Sequence, residues 1–269
     1  LNTFLLQPGN APLLISFPHV GTHLPAEFVN RLSPTGVTLI DTDWYVDRLY
    51  AFAADMGITT LRAMISRYVV DLNRDPAGAV LYANARTSAI CPSETFEGAA
   101  LYKPGNEPTP GEIARRIQTY WRPYHDALRA ELNRLRAAHG YAMLLDAHSI
   151  WGRLPLLFDG ELRDINIGTN SGASCAPALT IQAVFATTPS TYSVIVDDRF
   201  KGGYITRHYG KPDDKIHALQ IELNQRTYLA EGSRTVSDAM KAGALMRTLK
   251  EVTSALLAWT PTIGSPRGR

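Results

Sequence analysis

Short apolar runs alternate along this chain with longer stretches of helical period, and that alternation constrains its fold more than any other feature. Each run, such as Pro12 to Phe17, Tyr68 to Leu72, Tyr141 to Leu145 and Ala218 to Leu223, stops at a polar or turn-forming cluster. Strand-length runs separated by helical segments indicate a sheet covered by helices. Runs that are apolar at every position need cover on both faces of the sheet. The expected architecture is therefore a three-layer α/β/α domain with a mixed sheet. No repeat, low-complexity tract or Gly/Ser linker divides the 269 residues, so one domain is expected over 1–269, with a Pro/Gly-rich tail fraying from 260 to 269.

The pattern also predicts individual elements. Pro12 to Phe17 reads as a buried strand opening into a loop at Pro18-His19. Trp44, Val46, Leu49, Tyr50 and Ala53 recur at helical spacing, predicting a helix from Asp43 to Met56 that stops at Gly57. Tyr68 to Leu72 reads as a strand followed by a turn at Asn73-Arg74-Asp75-Pro76. Thr109, Pro110 and Glu112 form the clearest helix start, a capping box, for a helix running towards Ala138. Tyr141 to Leu145 reads as a strand broken by Asp146-Ala147-His148-Ser149. In Ala218 to Leu223, alternation sends Leu219, Ile221 and Leu223 to one face and Gln220 and Glu222 to the other. Val236 to Trp259 reads as a closing helix with Met240, Ala244, Met246, Leu249, Val252, Leu256 and Leu257 inward.

Charge narrows the class of partner. Lys+Arg 27 against Asp+Glu 25 leaves a net charge of +2, without the polybasic block that nucleic-acid binding calls for. No apolar stretch approaches the ~20 residues of a membrane span. Cys91 and Cys175 lack metal-site or disulfide-framework spacing, and Leu1-Asn2-Thr3-Phe4 shows no secretory pattern, so a cytoplasmic protein is expected. A small-molecule ligand remains as the expected partner.

Polar residues sit where the predicted strands end, and in open α/β sheets that is where ligands bind. His19 follows a strand and precedes Gly21, a ligand-like position; His23, four residues on, reads as a loop histidine. In Asp146-Ala147-His148-Ser149 an acid two residues before a histidine can orient the ring or back a metal ligand. Asn73-Arg74 offers an amide and a planar guanidinium suited to a carboxylate, or else a loop held by Asp71 or Asp75. Glu222, between apolar neighbours, is either paired or poised as a base. In Lys201 to His208 the glycines allow close approach to a ligand, with Arg207 able to meet an anion. Gly172 to Ala176 only half matches a nucleophile elbow, and neither nucleotide-binding glycine motif is present.

Taken in order, Pro18-His19-x-Gly21, Ser66 to Arg74, Trp121-Arg122-Pro123-Tyr124-His125, Asp146-Ala147-His148-Ser149, Phe200 to Gly210 and Ile221-Glu222-Leu223 resemble the N-formylglutamate amidohydrolase family. That family is related to zinc carboxypeptidases and aspartoacylases. The resemblance implies a zinc-carboxypeptidase-like fold and metal-dependent hydrolysis of N-formyl-L-glutamate in a bacterial histidine-degradation route. It implies His19 and His148 as metal ligands, zinc as the ion (cobalt or iron as substitutes), Asn73 and Arg74 as the carboxylate grip, and Glu222 as general base. Arg67 or Arg207 would stabilise the oxyanion or take the second carboxylate. The related carboxypeptidases carry a Glu three residues after the first His; Thr22 stands there in this chain. Asp43 is expected in its place, with Asp41 and Asp47 as alternatives. The rival expectations are a related zinc amidase acting on another N-acyl acidic amino acid or a small peptide, and a non-catalytic binder of acidic ligands.

Overall fold

The computed structural model describes residues 2–79 and 87–261. In chain order the elements are β1 (Phe4–Gln7), β2 (Leu13–Phe17), α1 (Ala26–Val29), α2 (Val46–Leu49), β3 (Thr59–Ala63), α3 (Pro110–Arg116), α4 (Arg122–His139), β4 (Ala142–Ile150), β5 (Ile165–Gly168), α5 (Pro177–Thr187), β6 (Val194–Val196), α6 (Tyr204–Tyr209), β7 (Ile216–Asn224) and α7 (Ala239–Ala258). The strands form one seven-stranded sheet in the order β1-β3-β2-β4-β7-β5-β6. The centre, β3-β2-β4-β7, is parallel, while β1 and β5 join antiparallel to β3 and β7, so the sheet is mixed.

β2, β4 and β7 are buried at every position. Their alternate side chains fill two cores. Leu13, Ile15, Met143, Leu145, Leu219 and Ile221 pack under α5 and α7, against Leu179, Leu245, Leu249 and Val252. Leu14, Leu144 and Ala218 pack under α4, against Leu128, Leu132 and Leu135. Burying one such leucine is worth about 1.5–3 kcal/mol, so an α/β arrangement with helices on both faces follows from apolar strands.

Several local expectations are corrected. Tyr68 to Leu72 is not a strand. Val69 N donates to Ser66 O in a turn, and Asp71 N donates to Ile90 O, outside any sheet ladder. The run is nonetheless buried, split among three apolar clusters, because packed irregular backbone hides side chains as well as a strand does. The strand beside β2 is Thr59–Ala63 instead. The predicted helix from Asp43 to Met56 shrinks to α2 and a 3-10 turn at Ala51–Ala53. Asp43 N donates to His19 O, which holds this stretch at the end of β2, and Tyr45 is left-handed (φ 62) before the helix can start. β4 does not break at Asp146 but continues to Ile150. Met240, expected inward, is 85% exposed in the first turn of α7, where Asp238 caps Met240 N and Lys241 N. Of the tail expected to fray, 262–269 lies outside the described residues. No helix among the described residues is long and apolar enough to cross a membrane.

Thr109 Oγ1 caps Glu112 N at 3.3 Å, as its position predicts, but the Glu112 carboxylate accepts from Arg31 and Arg116 rather than closing the box. Between α3 and α4, Ile117–Trp121 is a π-helical turn. From there Trp121 Nε1 donates to Arg74 O at 3.0 Å, and His125 Nε2 donates to Leu72 O at 2.8 Å. The Trp-Arg-Pro-Tyr-His run thus clamps the backbone around Asn73. Burial pushes His125 down to about 3, so it stays neutral in the folded protein. Below the ordinary histidine value of ~6.5 the unfolded chain takes up a proton that the folded one refuses. The stabilisation is complete above ~6.5 and is lost progressively as the pH falls towards about 3. Denaturant unfolding at pH 7 and pH 4.5 should show the wild-type protein losing about 2–3 kcal/mol more than His125→Gln. Equal losses in the two proteins would show that His125 is not held neutral.

Candidate active site

The face of the sheet under α4 changes character towards the carboxyl ends of its strands. Leu14, Leu144 and Ala218 give way to Ser16 on β2, Asp146 and His148 on β4, and Gln220 and Glu222 on β7. Register sets Ser16 beside Asp146, Asp146 beside Gln220 and His148 beside Glu222. Strand period and register together therefore line up four polar side chains with one serine.

The loop after β2 adds His19, and the stretch before α2 adds Asp43. Gly21 is required here, since a Cβ on it would lie 2.3 Å from Ile65 O. His19, Asp43 and His148 are buried, with one potential ligand atom from each lying within 4.8 Å of the others. His148 Nδ1 stands 3.1 Å and His19 Nδ1 3.6 Å from Asp43 Oδ2. The opposite ring nitrogens face carboxylates. His19 Nε2 is 2.7 Å from Asp71 Oδ1, and His148 Nε2 is 2.9 Å from Asp146 Oδ2. Each carboxylate is itself held: Arg67 Nη2 and Asn73 N donate to Asp71, while Ser16 Oγ and Asn73 Nδ2 donate to Asp146.

With Nε2 of each ring donating to a carboxylate, both Nδ1 lone pairs turn towards Asp43. Asp43 Oδ1 is buried without a hydrogen bond, with Arg67 Nη1 at 3.8 Å. Three acceptors facing one another at buried side chains call for a cation between them, either a proton or a metal ion. The electrostatics say the same. Burial works against a charged His148, yet Asp146, Asp43 and Glu222 outweigh it and hold the imidazolium well above the ordinary histidine range. Burial likewise opposes the Asp43 carboxylate, and the two histidines overcome it and hold its pKa low. Glu222 is pushed up to about 8, first by burial and then by the negative charge of Asp43 and Asp146, against the pull of His148 and Arg67.

Of the three candidate acids, Asp43 is the one that joins the histidines. Asp41 accepts from Phe96 N at 3.0 Å, and Asp47 pairs with Arg62 at 2.7 Å. The pocket over the cluster is lined by Arg67, Asn73, Arg74, Gln220 and Glu222, together with Ser88, Phe96, Arg199 and Gly203. Arg67 lies under the Phe96 ring and is bound to Asp71 and to Asp41 O. Arg74 is aimed by Ser88, whose carbonyl accepts from Nε and whose hydroxyl accepts from Nη2. Arg74 also lies near one of its expected loop anchors, with Nη1 3.9 Å from Asp71 Oδ2. Asn73 is turned inward, with Oδ1 on Ile205 N and Nδ2 on Asp146.

Arg207 is not among the pocket-lining residues; its Nε donates to Gly202 O at 2.7 Å. Arg199, which sequence reasoning missed, lines the pocket instead, its guanidinium over Phe200 and its Nε donating to Leu157 O. Its only sequence signal is a position just before Phe200-Lys201-Gly202-Gly203. Ser174, of the half-matched elbow, is buried and donates to Ala218 O. His23 sits outside the cluster, its backbone bridged to the 64–66 stretch.

Comparison with known proteins gives the family. The N-formylglutamate amidohydrolase family profile matches residues 11–229. An N-formylglutamate deformylase of Pseudomonas aeruginosa is 47% identical over 253 residues, covering 93% of this chain and 94% of that protein. One of Pseudomonas putida is 46% identical over the same shares. A crystal structure of an N-formylglutamate amidohydrolase from Ralstonia eutropha superposes with a TM-score of 0.79 at 27% identity, covering 94% of this chain and 97% of that one. With nearly the whole chain aligned to these relatives and its fold shared with a solved member, the chain belongs to the N-formylglutamate amidohydrolase family.

Proposed function

We propose that this chain hydrolyses N-formyl-L-glutamate to formate and L-glutamate, using a divalent transition metal held by His19, Asp43 and His148. The observation that carries this is the convergence of three acceptor atoms beside a buried Glu222, with a carboxylate behind each histidine. Two imidazoles and one carboxylate suit zinc, and also cobalt or iron. When bound, such an ion supplies a Lewis acid that polarises a carbonyl and acidifies water towards neutrality.

The protein's own groups supply the rest. Glu222 takes the proton of the attacking water at its carboxylate and returns it to the departing amine nitrogen. A positive charge between the neighbouring ligands favours the Glu222 carboxylate, which burial otherwise keeps protonated near neutral pH. Arg67, fixed by Asp71, faces the pocket as a donor for the oxyanion. Arg74 takes a substrate carboxylate, with Asn73 holding Asp146 beside it. The buried free thiols Cys91 and Cys175 suit a reducing, cytoplasmic setting.

Formate release from N-formylglutamate by the purified protein tests this function. Activity should disappear on dialysis against a chelator and return with zinc or cobalt. A metal-replete protein that releases no formate would overturn the substrate assignment, and undiminished turnover after chelation would overturn the metal.

Arg74→Lys should cost about 1.5–3 kcal/mol, roughly 10–150-fold in kcat/KM, because an ammonium cannot reproduce the planar fork. Metal content should stay unchanged. Substrates with one carboxylate replaced by an amide provide the control: wild type should discriminate against the relevant amide and the Lys variant should not. A uniform penalty with an earlier melt would make Arg74 a loop anchor.

A further inference from the structure

Gln220 lies on β7 two residues before Glu222, on the same face, and both ends of its buried amide are engaged. Gly203 N donates to its Oε1 at 2.7 Å, and its Nε2 donates to Glu222 Oε2 at 3.1 Å. A backbone N–H can only donate, so Gly203 fixes which end of the amide is oxygen and turns the NH2 end towards Glu222. Asn73 is keyed in the same way: Ile205 N donates to its Oδ1 at 2.8 Å, which leaves Nδ2 for Asp146. Two backbone amides of the 203–205 segment thus orient two side-chain amides, and each presents its donor end to a carboxylate of the site. Such close docking requires glycine at 203, where a Cβ would lie 2.3 Å from Asn73 Nδ2, and at 202, where φ is 107°.

We propose that Gln220 is the positioning residue for the base: keyed by the Gly203 backbone, its amide holds Oε2 of Glu222 and leaves Oε1 to handle the reacting proton. Among the described residues Glu222 receives no other side-chain hydrogen bond. Without this anchor the carboxyl group can rotate, and misplacement of a reacting group by about 1 Å can cost ~10²-fold. The proposal rests on Glu222 being the base.

The experiment is a double-mutant cycle on the metal-loaded enzyme, with N-formylglutamate as substrate. Gln220→Met should lower kcat about 10–100-fold with KM within about threefold. In the Glu222→Gln background the same substitution should change kcat by less than about threefold, because Gln220 acts only through Glu222. Gln220→Glu keeps an acceptor for Gly203 N, and so preserves the fold if the Met variant does not; it lacks the neutral amide donor and should also lose at least about tenfold in kcat. A rise in KM alone, an equal loss in both backgrounds, or wild-type kcat in Gln220→Glu would overturn the proposal. If Glu222→Gln itself keeps full kcat, the base assignment falls and this proposal with it; if only the Gln220 variants are silent, the base assignment stands.

Discussion

Glu222→Gln should leave the fold and metal content intact and lower kcat by roughly 10²–10⁴-fold, the usual span for a general acid–base residue. The amide is nearly isosteric and can still meet Gln220 through its own oxygen, so β7 has no reason to move. It cannot accept a proton from water, and that is the function removed. In the ion-free protein Glu222 is pushed up to about 8, chiefly by burial. A base works only when deprotonated, so wild-type kcat should rise with pH along an acid limb, and the residual activity of the Gln variant should lack that limb. Survival of kcat with a raised KM would make Glu222 a binding residue and send the search for the base elsewhere.

His148→Ala should abolish both metal content and turnover, measured by elemental analysis and formate release. It should also destabilise the metal-free protein. His148 is 3.1 Å from Asp43 Oδ2 and 2.9 Å from Asp146 Oδ2, both buried. Removing the positive partner leaves two buried carboxylates without it, and breaking a buried pair costs about 3–5 kcal/mol. The loss of stability should be largest near neutral pH and smaller under acid conditions that protonate the carboxylates. Full turnover in a metal-free His148→Ala protein would end the metal assignment.

Wherever one local pattern decides the outcome, the amino-acid order is readable. Alternation in β7 places Glu222 and Gln220 opposite Leu219, Ile221 and Leu223, because strand side chains alternate whatever surrounds them. The Thr109 cap and the helix start after it follow from local hydrogen bonding and sterics. The run from Tyr68 to Leu72 shows the limit. Continuous apolarity determines that a segment is buried but not that it is extended, and here the turn at Ser66 and the bonds to Asp71 decide against a strand.

The candidate site divides along the same line. His19, His148, Asn73, Arg74 and Glu222 stand out in the sequence because polar residues after apolar runs are costly unless used. Which acid joins the histidines is less legible: Asp43 is the expected one, but Asp41 and Asp47 are of the same type close by in the chain. Only the backbone bond from Asp43 to His19, and the closure that brings Asp43 to a histidine 105 residues away, separates them. Arg199 rather than Arg207 reaches the pocket for the same reason, since the path of a loop over the sheet is set by distant packing. The sequence by itself determined the strands β2, β4 and β7, the closing helix and the residue types of the site. The tertiary structure decided their convergence, because distances between side chains on different elements depend on register and crossing, which no local pattern encodes.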